Sequence, residues 1–184
     1  SLPSLENRVF RFFLWQNPFA VARFHGVDLW SKEHFEAMYP VMKLLVDAGQ
    51  KTITASIMHK PWGGQTEDYF ESMVMRIKRL DGSWQYDYAV FDKWVEFMMG
   101  LGIDRQINCY TMIPWDLSFQ FFDQASNQLK FVKADVGTPA YNEYWLPFLQ
   151  DFARHLKTKG WFDITTIAMD ERPMAAMQKA IRLI

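Results

Sequence analysis

The sequence predicts an α/β fold of the (β/α)8 TIM-barrel type, of which residues 1–184 make the N-terminal half. Three observations predict it. One unit, a helix, then glycine, a short linker and a strand, recurs at AGQKTITASIM, LGIDRQINCYTM and KGWFDITTIAMDE, around Gly49, Gly102 and Gly160. Strands alternating with helices imply a parallel sheet with right-handed crossovers. Long insertions follow the strands and short connections follow the helices, which is how a barrel builds its active face. The alternative is a complete doubly wound sheet of four parallel strands. Against it, no Gly-rich phosphate loop follows the first strand, where Gln16-Asn17-Pro18 stands instead. A closed barrel needs eight units and usually about 250 residues. The remaining units are therefore expected elsewhere in a longer chain, and the amphipathic pattern Met174, Met177, Ile181, Ile184 runs to the last residue.

The elements read as follows. Residues 9–15 (VFRFFLW) form a strand of aromatic and β-branched residues. Residues 19–26 read as a loop or short turn. Ser31 is an N-cap, followed by Phe35, Met38, Tyr39, Met42, Leu45 and Val46 at helical spacing; Pro40 is expected to kink or split that helix, and Gly49 ends it. Residues 51–58 are the second strand. A loop over 59–68 precedes a hairpin on Asp81-Gly82, with arms at 73–80 and 83–88. A helix over 89–99 buries Phe91, Val95, Met98 and Met99. Residues 105–112 are the third strand. A second hairpin joins 118–122 to 129–132. Thr138-Pro139 caps a helix to about Lys157, with Tyr144, Trp145, Phe148, Leu149, Phe152 and Leu156 inward and Pro147 inside the pattern. Residues 164–169 are the fourth strand. Both hairpins are expected as separate excursions from the parallel sheet.

Composition excludes several classes. Net charge is −1, which gives no reason to expect nucleic acid or an anionic membrane as partner. No apolar run approaches the roughly 20 residues of a membrane span. Cys109 is the only cysteine, so no internal disulfide forms; mid-strand, it reads as a small buried side chain. His25, His34, His59 and His155 show no metal-ligand spacing, so no metal and no cofactor is expected. His34 and His155 fall on helix patterns and are expected in solvent.

The strand ends carry the groups with chemistry: Trp15, Gln16 and Asn17; His59 and Trp62; Tyr110 and Trp115; Asp170 and Glu171. Parallel-barrel geometry brings such ends to one rim. Acids, flat rings and amides together suit a sugar. Rings stack on pyranose C–H faces, amides and imidazoles hold hydroxyls, and carboxylates act on the glycosidic bond. Taken alone, Asp170 and Glu171 could merely favour a helix N-terminus. Neighbours on a regular strand point to opposite faces. For both acids to serve one site the chain must be leaving the strand there, as Pro173 implies.

MDERP after a βα repeat, with WQNPFAVARFHGV, GQKTITASIMHKPWGGQTED, YDYAVFDKWVEFMMGLGI and INCYTMIPWD, resembles the catalytic domain of family 123 of the glycoside hydrolases. The resemblance spans nearly the whole chain. It implies a bacterial, exo-acting, retaining β-N-acetylgalactosaminidase with a barrel domain, a β-sandwich domain absent from these residues, and a periplasmic or extracellular location. It implies catalysis assisted by the substrate's own 2-acetamido group. Asp170 would orient and polarise the acetamido N–H, and Glu171 would act as general acid and then base. Trp15, Asn17, His59, Trp62, Tyr110 and Trp115 are the expected substrate-binding residues. The expected partner is a glycan ending in β-linked N-acetylgalactosamine. The rivals are a substrate-assisted hexosaminidase of other specificity and a non-catalytic glycan-binding protein.

Overall fold

A computed structural model describes residues 12–184. Two helices come first, α1 (Pro18–His25) and α2 (Lys32–Ala48). Then follow β1 (Thr52–Ser56), the hairpin β2 (Met75–Lys78) and β3 (Trp84–Asp87), and α3 (Ala89–Gly100). Next are β4 (Gln106–Tyr110), the hairpin β5 (Ser118–Asp123) and β6 (Gln128–Lys133), and α4 (Pro139–Lys159). A 3-10 turn at Phe162–Ile164 leads to β7 (Thr165–Ala168) and α5 (Met174–Ile181).

β1, β4 and β7 form a parallel sheet in that order, with Ser56 level with Tyr110 and Tyr110 level with Ala168. The described residues form an open sheet of an α/β protein and no closed barrel. The recurring helix–glycine–strand unit is one capping motif used three times. Gln50 N donates to Leu45 O, Ile103 N to Met98 O, and Trp161 N to Leu156 O, closing each helix with a bond that reaches back over its last turn. Gly49, with φ 96°, and Gly160, with φ 73°, hold the left-handed conformation those turns require.

Several expectations change. Residues 9–11 of the expected first strand lie outside the described residues, and 12–15 are not a strand. The segment instead lies along the outer edge of β1 through two glutamines. Gln16 Oε1 accepts from Thr54 N at 2.7 Å, and Gln16 Nε2 donates to Thr52 O at 3.2 Å. Gln50 Nε2 also donates to Thr52 O, while Gln50 Oε1 accepts from Leu14 N at 2.9 Å. Trp94 Nε1 donates to Thr54 O, and Met73 N to Ser56 O. An edge strand's unpaired groups invite a stray strand; here side chains and the Met73 amide occupy them.

The expected turn at 19–26 is the helix α1, started by Asn17 and Pro18. Helix α2 runs through Pro40, and α4 through Pro147, without a break. His34 is fully buried, not solvated. Trp30 N donates to its Nδ1 at 2.9 Å, so Nε2 carries the proton and donates to Pro18 O at 2.8 Å. Burial pushes its pKa down. His155 is not free in solvent either. Its ring stacks on Tyr88 at 4.0 Å, and Nε2 bonds Asp92 Oδ1 at 2.7 Å.

Both hairpins form outside the parallel sheet, as expected, and they also join each other. Ile77 and Lys78 of β2 pair in parallel with Phe122 and Asp123 of β5, joining the hairpins into a four-stranded sheet of order β3-β2-β5-β6. One face of it, with Arg76, Trp84, Tyr86 and Phe119, packs on Tyr144, Trp145 and Phe148 of α4. The other face carries Phe131 to the ring of His59. The main core lies between the parallel sheet and its helices, around Met38, Met42, Ile53, Phe91, Trp94 and Met98.

Candidate active site

The ends of β1, β4 and β7 meet at one rim. Tyr110 is the last residue of β4, level with Ala168, and Asp170 follows two residues on. The chain does leave the strand there: β7 ends at Ala168, and Arg172 N donates to Asp170 O at 2.6 Å in a tight turn before Pro173 and α5. Asp170 is half-buried and Glu171 exposed. Trp115 Nε1 donates to Asp170 Oδ2 at 3.4 Å, a long bond, and the Arg172 guanidinium lies 4.7 Å over the Trp115 ring.

Trp15, Trp62 and Tyr110 form one aromatic group. Trp15 stacks on Trp62 at 5.0 Å and an interplanar angle of 27°, and each ring lies about 5 Å from Tyr110. Trp62 is only 3% exposed, its edge against Phe70, so it supports the group from below. Trp15 is 48% exposed and supplies the accessible surface. Burial, with the Asp170 charge adding to it, pushes the Tyr110 phenol up to about 12. Tyr110 therefore stays a neutral hydroxyl beside the acid. The Tyr110–Thr111 peptide is cis.

The loops after β1 and β4 interlock. Trp115 N donates to Pro61 O, and a Cβ on Gly63 would meet Trp115 Cβ at 3.4 Å. Gly63, at φ 60°, suits both the left-handed backbone and the close approach. On the same loops a cavity of about 170 Å3 is lined by His59, Lys60, Pro114, Asp116, Ser118 and Phe131. His59 Nδ1 bonds Glu71 Oε2 at 2.6 Å, so Nε2 is the ring nitrogen left for a ligand.

The structure thus brings together Trp15, Trp62, Tyr110, Trp115 and Asp170. His59 stands apart, on the cavity beside Trp115's neighbours. Asn17 is tied down as a cap, its Oδ1 accepting from Ala20 N at 3.0 Å. Sequence reasoning missed Arg172, Glu71 and Phe131. Arg172 followed the acid pair directly and was legible as a neighbouring cation; Phe131 required knowing that the two hairpins share a sheet. Among the described residues no three His, Cys, Asp or Glu side chains gather to hold a metal ion, and no helix is long and apolar enough to cross a membrane.

Acids and a neutral phenol at the carboxyl ends of parallel strands, with the half-exposed Trp15 ring beside them, are the kinds of group that handle sugars on an α/β domain. Comparison gives the family. Residues 15–184 match the glycoside hydrolase 123 catalytic domain, and the chain belongs to that family. A solved family 123 glycoside hydrolase from Clostridium perfringens, whose structural analysis concerned glycolipid glycan hydrolysis, is 35% identical with a TM-score of 0.87. The match covers 92% of this chain and 31% of that one, so this chain spans about a third of its relative's length. A search of curated proteins gives no match.

Proposed function

We propose that the full-length protein is an exo-acting, retaining β-N-acetylgalactosaminidase, and that this chain is the first half of its (β/α)8 barrel. The observation that carries the reading is the Asp170-Glu171 turn at the rim, in a chain of family 123. The acetamido oxygen of the substrate attacks the anomeric carbon as the glycosidic C–O bond breaks. Glu171 gives its proton to the departing oxygen. Asp170 accepts the acetamido N–H and offsets the positive charge developing on the ring, giving an oxazolinium intermediate. Glu171 then takes a proton from water as that water opens the intermediate, and configuration is retained. No enzyme nucleophile is needed, unlike the usual two-carboxylate scheme. Trp115 positions Asp170, and Trp15 takes the sugar's apolar face. The cavity with His59 and Phe131 offers room for the leaving group. The substrate is a glycan ending in β-linked N-acetylgalactosamine, met in the periplasm or outside a bacterial cell.

The test is turnover of matched aryl β-N-acetylgalactosaminide and β-N-acetylglucosaminide, with the first anomer of the product read by NMR. Turnover of the galacto substrate with retention is the expected result. Faster gluco turnover would reassign the specificity, and binding without turnover would leave a glycan-binding protein. Glycosyl azide of inverted configuration from Asp170→Ala in added azide would make Asp170 a direct nucleophile and end the substrate-assisted reading.

A further inference from the structure

Arg76 of β2 is 3% exposed. Its Nη1 donates to Ile57 O at 2.7 Å, while Nε and Nη2 are buried and have no partner among the described residues. Its Cζ lies 4.0 Å over the Phe148 ring and 4.9 Å over both Tyr144 and Trp145. Those rings lie against its faces and stabilise the charge, but N–H bonds lie in the guanidinium plane and need acceptors at its edge.

The same layer holds more unpaired polar atoms. Tyr86 is Arg76's direct cross-strand partner, so the two side chains share a face, and the Tyr86 ring also rests on Phe148, at 5.4 Å. Its hydroxyl is buried and unpartnered, as is Trp145 Nε1. Asn142, one turn before Trp145 on α4, has a buried Oδ1 in the same condition. The carboxylates of the surrounding elements are engaged elsewhere. Asp151 accepts from Tyr88 Oη and Arg154; Glu143 pairs with Lys78; Asp123 accepts from Lys130 and Ser126.

We propose that Arg76, Tyr86 and Trp145 bind a buried monovalent anion, chloride, between the four-stranded sheet and α4. A buried charge is tolerated when a counter-charge and hydrogen bonds meet it together. Water supplies only part of that. It can accept from Arg76 and Trp145 and donate to Asn142 Oδ1 or Tyr86 Oη, but it brings no charge, so the guanidinium stays unbalanced. A halide accepts several donors at once and balances the guanidinium. Tyr86 also lines an open cleft of about 340 Å3 with Trp84, Pro147, Asp151 and Arg154, so solvent reaches the outer edge of this layer. The bound ion would tie the β2–β3 hairpin to α4, away from the acid pair.

The full-length protein is melted in sodium chloride and in sodium gluconate at equal ionic strength, and crystals are soaked in bromide. Chloride should raise Tm saturably by roughly 2–4 °C over gluconate. An anomalous bromide peak should lie within hydrogen-bond distance of Arg76 Nη2. Arg76→Met should abolish the chloride dependence. If that variant does not fold, Tyr86→Phe should shift the chloride midpoint several-fold upward. Equal Tm in the two salts overturns the proposal. So does a bromide-soaked crystal with no peak there, or a carboxylate from elsewhere in the full-length chain against the guanidinium.

Discussion

Trp62 and Glu171 sit at the same end of the same sheet and are held in opposite ways. Trp62 is 3% exposed, with Trp15, Phe70 and Tyr110 on its faces and edge. Glu171 is exposed and has no hydrogen bond or ion pair among the described residues. Asp170 falls between them, half-buried and touched by Trp115. The difference follows from the tasks proposed for them. A general acid must gain and lose a proton, so a fixed partner would bias it toward one state. A ring platform works by staying still, so close packing serves it.

That contrast can be broken at several places. In the full-length enzyme, Glu171→Gln should cost on the order of 10²–10⁴-fold in kcat for poor leaving groups and much less for an activated aryl glycoside. Asp170→Asn should slow both kinds alike, because it acts on the acetamido attack. A leaving-group series on both variants reads the two profiles, and matching profiles would merge the roles assigned to the two acids. Neither change should alter thermal stability much. Trp62→Ala should do the reverse of a catalytic change, with a loss of about 3–5 kcal/mol in stability from the cavity it leaves. Urea unfolding measures it.

Smaller effects sharpen the same comparison. Trp15→Ala should raise KM by the equivalent of about 1 kcal/mol while Tm barely moves, since nearly half of that side chain already meets solvent. An unchanged KM would remove Trp15 from the substrate's path. The smallest effect is set by pH. His34 is buried neutral and bonded to Pro18 O, which anchors the segment carrying Trp15. Its folded pKa lies below 6.5, so the unfolded chain binds the proton more readily. Its contribution is full above pH 6.5 and declines as pH falls toward the folded pKa. His34→Gln should flatten that part of a stability-versus-pH curve.

The parallel strands and most helix limits were legible because local chemistry writes them. Gly49 and Gly160 stop helices wherever they occur, and Ser31 and Thr138 start them. Asn17-Pro18 carried the same start signal, but α1 spans only 8 residues and its pattern was too short to stand out. The joining of the hairpins was not legible. Ile77 and Phe122 are far apart in the chain, and neither hairpin's own pattern names the other. The histidines failed for a related reason. His34 and His155 occupy helix positions that look polar, yet each meets a specific partner from another element. At the rim, Asp170 and Glu171 were legible from adjacency and the following proline. The burial of Trp62 was not, because it depends on Trp15 arriving from a different segment.

The glutamine clasp on β1 has a kinetic side. Gln16 reaches Thr54 across 38 residues of chain, and Leu14 reaches Gln50 across 36. Pairings of that span wait for loop closure, whereas helices and tight hairpins form locally. In a refolding experiment with pulsed hydrogen–deuterium labelling, the amides of α3 and of the Asp81-Gly82 hairpin should become protected first. Those of Leu14 and Thr54 should follow together when the clasp shuts. Trp15 is bracketed by Leu14 and Gln16, so its ring reaches Trp62 in that same late step. A chain caught before it would already carry the acids at the end of β7 and still lack the ring surface proposed to receive the sugar.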